Sequence, residues 1–151
     1  MELAKQLSNN YIFRGLPREV VAGMAAVAAV RRYDGGTTLV RQFDNDSDLY
    51  IILEGGARIR DYHGETLAEF GPGSVIGEMA LIDENTRSAT VVATGPTIAA
   101  VIPASYLKGI MTDDPTVNAK IVTNISRVLC RRLRTSNERV SHLDEPHRMA
   151  R

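Results

Sequence analysis

The sequence predicts a mainly β fold with flanking helices, built as a compact β-roll, jelly roll or small barrel. Two observations support this prediction. Between about residues 31 and 102, short runs rich in β-branched residues alternate with glycine-containing turns. After residue 102, apolar residues recur every three or four positions, which is the spacing of one helical face.

The length and composition indicate a single folded unit. The chain has 151 residues, of which 44% are hydrophobic and 24% are charged. These proportions are ordinary for a globular protein and too apolar for a disordered one. Because a domain typically contains roughly 100 to 150 residues, we expect one domain over residues 1–140. Residues 141–151 are polar, contain Pro146 and are predicted to form a flexible tail.

Charge and cysteine content limit the possible functions. Lys plus Arg and Asp plus Glu both number 18, so the formal net charge is zero. Strong nonspecific nucleic-acid binding, which normally needs a basic surface, is therefore not expected. The single cysteine, Cys130, suits a reducing compartment. No apolar run approaches the roughly 20 residues of a membrane span, and no signal peptide is evident. These features predict a cytoplasmic protein.

Two helical segments are predicted before the β region. Leu3 and Leu7 are four residues apart, which indicates a short helix or arm from Glu2 to about Tyr11. A second helix is predicted from about Pro17 to Val30. Its apolar residues follow one face, and proline suits the first helical position.

Eight strands are predicted in the β region. They cover residues 31–33, 38–41, 48–54, 57–62, 65–70, 75–76, 88–93 and 97–102, and glycine-rich breaks separate most of them. Gly55-Gly56 lies between two strongly apolar runs, as the turn of a β-hairpin does.

Two helices are predicted after the strands. The first extends from Pro103 to Met111. Asp114-Pro115 then reads as an N-cap followed by proline at the first helical position. The long last helix is predicted from about Pro115 to Asn137, because apolar residues form one stripe along it and arginines favour its C-terminal half.

The segment from Gly77 to Thr90 has the chemistry of an anion site. A short helix of barely two turns fits between Glu78 and Asp83, with free N–H groups at its glycine end. Arg87 offers a forked pair of donors to a phosphate. Glu78 suits a sugar hydroxyl instead, because an ionised carboxylate only accepts hydrogen bonds. Without further support, a Glu and an Arg this close in sequence would instead be interpreted as a surface ion pair beside a turn.

The same segment resembles a known motif. Gly77-Glu78-Met79-Ala80-Leu81 and Arg87-Ser88-Ala89-Thr90-Val91 are similar to the phosphate-binding cassette of the cyclic nucleotide-binding domain family. That family includes bacterial catabolite activators, protein kinase A regulatory subunits and cyclic-nucleotide-gated channels. Further landmarks occur in order, and the resemblance covers roughly residues 10 to 135. It implies an eight-stranded antiparallel β-roll (jelly roll) with N-terminal helices and a long C-terminal helix.

The resemblance also implies a ligand, cAMP or cGMP, with no metal. Arg87 would pair with the cyclic phosphate, Glu78 would accept from the ribose 2′-hydroxyl, and Ser88 would touch the phosphate or the base. A residue of the last helix between Leu129 and Arg134 would cover the base. The full set of ligand-binding residues implied is Gly77, Glu78, Met79, Ala80, Arg87, Ser88 and Ala89. The choice between cAMP and cGMP stays open.

One departure from the family pattern concerns a loop. In Arg41-Gln42-Phe43-Asp44, phenylalanine stands where the family often has glycine, so Phe43 must fit a turn that glycine usually favours.

The predicted function is a cyclic nucleotide sensor whose last helix moves as a lid. The alternatives are a family-fold interaction module that binds no nucleotide, and a truncated transcription regulator. Few residues follow the last predicted helix, too few for a helix-turn-helix, so direct DNA binding is not expected. An enzyme is not expected either, because metal-dependent β-barrels need clustered histidines. The expected partners are an unknown output protein and, through the last helix, a second copy of the chain.

Overall fold

The computed structural model describes residues 2–60, 66–83, 87 and 89–149, with side chains described as far as residue 138. Within these residues the chain forms four α-helices and eight β-strands. The helices are α1 (Leu3–Ser8), α2 (Arg18–Val27), α3 (Ala104–Asp113) and α4 (Pro115–Met149). The strands are β1 (Ala29–Tyr33), β2 (Thr38–Val40), β3 (Leu49–Glu54), β4 (Ala57–Arg60), β5 (Thr66–Phe70), β6 (Val75–Ile76), β7 (Thr90–Ala93) and β8 (Thr97–Ile102). Short 3₁₀ turns occupy Tyr11–Phe13 and Glu78–Leu81.

The described strands form two four-stranded antiparallel sheets. One sheet has the order β1-β8-β3-β6 and the other has the order β2-β7-β4-β5. In the first sheet, Tyr50 of β3 lies opposite Val101 of β8 on one side and Ile76 of β6 on the other. The eight-stranded antiparallel roll with flanking helices is therefore confirmed.

Strand β3 explains where the apolar core lies. Its continuous apolar run is buried on both faces, as such a run predicts. Leu49 and Ile51 belong to a cluster that the helices cover, whereas Tyr50 and Ile52 face the second sheet inside the roll. Because successive side chains of a strand point to opposite faces, this one strand joins the two halves of the core.

Helix α4 is held by its apolar stripe, which packs into the core cluster, and by one buried amide, which binds the N-terminal 3₁₀ turn. Val117, Ile121 and Ile125 of the stripe are at most 2% exposed. Asn124, on the same face, donates from Nδ2 to the carbonyl oxygens of Ile12 and Arg14, both at 3.0 Å. The predicted N-cap is also present, because the Asp114 carboxylate accepts from backbone N–H groups in the first turn.

Two predicted helix boundaries are wrong. Helix α2 ends at Val27, and β1 already begins at Ala29. The sequence could not fix this boundary, because the apolar run there is compatible with either a helix or a strand. Helix α4 continues to Met149 and does not end near Asn137. Its last part carries no apolar stripe, so periodicity gives no signal there. The domain boundary at residue 140 and the flexibility of residues 141–151 stay predictions.

Some predictions fall outside the described residues. The expected end of the fourth strand at Tyr62, the start of the fifth at Glu65 and the start of the seventh at Ser88 are among them. No helix in the described part of the chain is long and apolar enough to cross a membrane.

Candidate functional site

A cavity of about 220 Å³ opens between the segment after β6, the second sheet and α4. The predicted site residues are found together on its wall, apart from Ser88, which lies outside the described residues. These lining residues are Gly77, Glu78, Met79, Ala80, Arg87 and Ala89. Apolar side chains, including those of Val40 and Phe70, complete the wall. The cavity thus combines an apolar surface with two carboxylates, those of Glu78 and Asp83, and two arginines.

Gly77 lets the chain turn sharply into the cavity wall. Its φ of 89° lies in the left-handed region, where glycine has no steric penalty. A Cβ on Gly77 would overlap with Arg87 Nη1 and lie 3.0 Å from the Asp48 carbonyl oxygen. The turn that follows, Glu78–Leu81, is a 3₁₀ helix, so the predicted helix of barely two turns is shorter than expected. The missing side chain therefore creates the space in which the arginine lies.

Arg87 is buried and held by oxygen atoms from one loop. It is 7% exposed. Its Nη2 donates to the Asp48 carbonyl oxygen at 2.6 Å and lies 3.3 Å from Asp46 Oδ2. The guanidinium also lies 5.7 Å from the centroid of the Tyr50 ring, within cation–π range. A buried charge needs such partners, and this set fixes the guanidinium in one place.

The backbone of this loop adopts the conformation that the sequence required. Phe43 has a φ of 72° and is 73% exposed. Its N–H donates to the Arg87 carbonyl at 2.8 Å, and the Arg87 N–H donates to the Asp44 carbonyl at 3.0 Å. The prediction that phenylalanine occupies a glycine-type turn here is confirmed. The paired backbone bonds hold the loop against Arg87.

Asp46 and Tyr50 form the acidic end of this network. The Tyr50 hydroxyl donates to Asp46 Oδ2 at 3.1 Å. Burial acts to raise the pKa of Asp46, but the Asp48 N–H, the charge of Arg87 and the Tyr50 hydroxyl outweigh it, so the pKa is lowered. Burial, together with the Asp46 carboxylate, raises the pKa of Tyr50. The Asp46 carboxylate is therefore ionised at neutral pH and balances part of the Arg87 charge.

One donor of Arg87 has no partner. Among the described residues, its buried Nε makes no hydrogen bond. The Nε atoms of Arg58 and Arg60 share this property, but neither residue lines the cavity. A buried N–H without an acceptor costs roughly 1–3 kcal/mol.

Glu78 is paired with a residue of the last helix. It is 3% exposed, and its Oε1 accepts from Arg132 Nη1. Arg132 is partly exposed, and its guanidinium lies 5.8 Å from the Phe70 ring centroid. It is the lining residue that α4 contributes to the cavity. Arg132 lies inside the window from Leu129 to Arg134 in which the base-covering residue was expected.

Sequence reasoning did not identify Asp46, Asp48, Tyr50 or Phe70 as part of the site. Asp48 contacts Arg87 through its carbonyl, which carries no residue-type signal, while its side chain accepts from Ala104 N at the start of α3. The acidic residues just before the apolar strand β3 could have pointed to Asp46, because a buried arginine needs a carboxylate partner. No group of three or more His, Cys, Asp or Glu that could hold a metal lies within the described residues.

Comparison with known proteins identifies the family. A family model described as the cyclic nucleotide-binding domain matches residues 30–114, more than half of the chain. Glutaminase 2 of Bradyrhizobium diazoefficiens is 28% identical over 137 residues, which are 91% of this chain and 22% of that enzyme. The cyclic AMP receptor protein of Thermus thermophilus is 34% identical over 131 residues, which are 83% of this chain and 58% of that protein. The chain therefore spans less than two thirds of either relative.

A solved structure agrees with these matches. A cyclic nucleotide-binding domain from Methylobacillus flagellatus has a TM-score of 0.76 and 27% sequence identity, and the match covers 92% of this chain and 80% of that one. The resemblance inferred from residues 77–91 is thereby confirmed along most of the chain. The chain belongs to the cyclic nucleotide-binding domain family.

Proposed function

We propose that the chain binds a cyclic nucleotide, cAMP or cGMP, in the 220 Å³ cavity and acts as a regulatory module without catalytic activity. One observation carries this proposal. Buried Arg87, with its unpartnered Nε, and buried Glu78 lie on the wall of the same cavity. Family membership and the names of the cyclic AMP receptor protein and the solved domain support the choice of ligand.

Arg87 binds the cyclic phosphate in this proposal. Its Nη2 stays bound to the Asp48 carbonyl and Asp46, so the guanidinium is positioned before the ligand arrives. A charge-assisted hydrogen bond contributes roughly 1.5–3 kcal/mol net. The lining residues Ala80 and Ala89 are small, which allows the phosphate to approach the backbone. Ser88 remains a proposed contact to the phosphate or base.

Glu78 accepts the ribose 2′-hydroxyl. A carboxylate has about four lone-pair positions, so Glu78 can accept a hydroxyl while it also accepts from Arg132. The sugar hydroxyl would then enter an existing ion pair. The nucleotide would connect the segment after β6 with α4 through these two side chains.

Arg132 is the proposed base-covering residue. Its guanidinium already lies beside the Phe70 ring, and a planar guanidinium can stack on a purine as it does on an aromatic side chain. Since Arg132 belongs to α4, ligand contact with it shifts the position of the helix. This is the proposed lid movement, and it transmits binding to an output protein.

Helix α4 also offers a second contact surface. Val122, Leu129 and Leu133 recur at intervals of seven and four residues; Val122 and Leu129 are half-buried against the core, and Leu133 is 63% exposed. Such a stripe suits a coiled-coil contact with a second copy of α4. We propose a homodimer through this stripe in the cytoplasm. Light scattering of the wild type and of Leu133→Glu tests it, since a dimer should become monomeric in the variant.

Titration calorimetry with cAMP and cGMP tests nucleotide binding. The wild type should give a binding signal with at least one nucleotide. Glu78→Gln retains the shape of the side chain but loses its charge, so affinity should fall roughly tenfold, equivalent to about 1.4 kcal/mol. Arg87→Lys keeps the charge but loses the fork, and it should weaken binding further. Arg31→Lys, in exposed β1, is the matched control and should bind as the wild type does.

Two outcomes would contradict the proposal. No signal with either nucleotide would favour a family module that does not bind nucleotide. Binding that persists unchanged in Arg87→Glu would place the ligand elsewhere. Because Arg87 is buried, circular dichroism and thermal unfolding must show that each variant is folded before its titration is interpreted.

A further inference from the structure

We propose that a basic face of α4 docks an acidic segment of a partner protein. The basic face consists of Arg14, Lys120, Arg127, Arg131 and Arg134. None of its residues lines the nucleotide cavity, but Arg14 and Arg131 line an adjoining cleft of about 820 Å³ that shares Ile59, Phe70 and Arg132 with that cavity. The inference therefore goes beyond the proposed function and does not depend on nucleotide binding.

The helical spacing gathers these cations on one surface. Arg127, Arg131 and Arg134 follow at intervals of four and three residues, so they share one side of α4 over about 10 Å of its length. Arg14 joins them across a cleft of about 550 Å³. Lys120 extends the row into an adjoining cleft of about 330 Å³ that Arg14 and Arg127 also line. The result is a continuous basic groove.

The cations of this face form no salt bridge within the described residues. From Pro115 to Asn137, α4 has five basic residues, namely Lys120, Arg127, Arg131, Arg132 and Arg134, and its first acidic residue is Glu138, four residues after Arg134. The described salt bridges use Arg87 and Arg132 and none of the five cations of the basic face. Lys120 Nζ donates only to the neutral carbonyl of Gly15, at 2.8 Å. Since the whole chain has a net charge of zero, this cluster is a local excess.

The exposure of the face selects the kind of occupant. Arg14, Arg127, Arg131 and Arg134 are all exposed, whereas a small-molecule site encloses most of its ligand. A guanidinium fork matches a carboxylate with two parallel hydrogen bonds. From Lys120 to Arg134 the row is about 21 Å long, which accommodates about six residues of an extended peptide at roughly 3.3 Å each. An acidic peptide segment therefore fits the length, charge and openness of the groove.

The basic face is also distinct from the proposed dimer stripe. Leu133 is two residues from Arg131, which places them about 200° apart around the helix. Both surfaces can therefore be occupied together, one by a second copy and the other by the output protein.

Fluorescence anisotropy with a labelled oligoglutamate of about ten residues, at about 50 mM salt where screening is weak, tests the inference. The full chain should bind the peptide, and Arg131→Glu with Arg134→Glu should weaken binding at least roughly tenfold. Arg31→Glu with Arg32→Glu makes the same charge change at exposed positions of β1 and should leave affinity within about twofold. Arg131→Lys with Arg134→Lys should retain partial binding, since only the fork is lost.

Four outcomes would overturn the inference. The first is no oligoglutamate binding by the wild type, and the second is an equal loss in both glutamate pairs, which would indicate a general charge effect. The third is tighter binding of a duplex DNA than of oligoglutamate, which would assign the face to nucleic acid. The fourth is a wild-type oligomer that Arg131→Glu with Arg134→Glu converts to a monomer, which would assign the face to a second copy.

Discussion

Replacing Gly77 with alanine tests how the cavity wall holds its arginine. The new Cβ would overlap with Arg87 Nη1 and lie 3.0 Å from the Asp48 carbonyl oxygen and 3.1 Å from Arg87 Cζ. Alanine at a left-handed position costs about 1–2 kcal/mol. Displacing Arg87 from the Asp48 carbonyl costs roughly another 1.5–3 kcal/mol. We therefore expect a loss of about 2.5–5 kcal/mol in the free energy of unfolding.

Gly73→Ala separates the two contributions. Gly73 has nearly the same φ, 88°, but nothing lies within 4 Å of a Cβ placed there. The Gly73→Ala variant should therefore lose only the cost of alanine in a left-handed backbone conformation, about 1–2 kcal/mol. Urea denaturation followed by circular dichroism measures both variants, provided that their m-values agree. If Gly77→Ala costs no more than Gly73→Ala, the space left by glycine does not position Arg87 and the reasoning fails.

Three further predictions concern the pairs around the cavity. Arg132→Met leaves the Glu78 carboxylate buried without its partner, so unfolding free energy should fall by about 1–3 kcal/mol, and Glu78→Gln in the same chain should recover part of it. Asn124→Ala removes two buried hydrogen bonds of α4 and should cost about 2–3 kcal/mol in urea denaturation. Because the folded pKa of Asp46 lies below its ordinary value of 3.8, its stabilisation is present above that value and disappears as the pH falls through the folded pKa. The stability difference between wild type and Asp46→Asn should therefore vanish in acid, as pH-dependent urea titrations can measure.

Matched controls exist on the same helix for two of these changes. Arg131→Met removes the neighbouring arginine, which forms no described salt bridge, and should change unfolding free energy by less than about 0.5 kcal/mol. Asn118→Ala changes an exposed asparagine and should be similarly mild. Equal losses in a variant and its control would show that the buried contact is not the cause, because Ala and Met are at least as favourable in a helix as the Asn and Arg they replace. For Asp46, a difference from Asp46→Asn that stays constant with pH would contradict the charge network.

The strands were predictable because their signal is local. Alternating apolar runs and glycine breaks place β3, β6 and β8 at or within one residue of their observed bounds. Helix ends were harder. The run around Val27 to Val30 has the same apolar character in a helix and in a strand, and only pairing of β1 with β8 decides between them. The end of α4 is mostly polar, so its few apolar residues do not mark where the helix ends.

Several residues on the wall of the candidate site could be identified from the sequence alone. Gly77, Glu78 and Arg87 lie within eleven residues of chain, so the chemistry of the residue types and a short turn suffice to bring them together. The contacts that hold these side chains in place come from distant parts of the chain. The partner of Glu78 is Arg132, 54 residues later, and the carbonyl that binds Arg87 belongs to Asp48, 39 residues earlier. The first contact depends on how α4 packs and the second on where β3 begins. A backbone carbonyl is the same in every residue type, so no local sequence pattern can predict either contact.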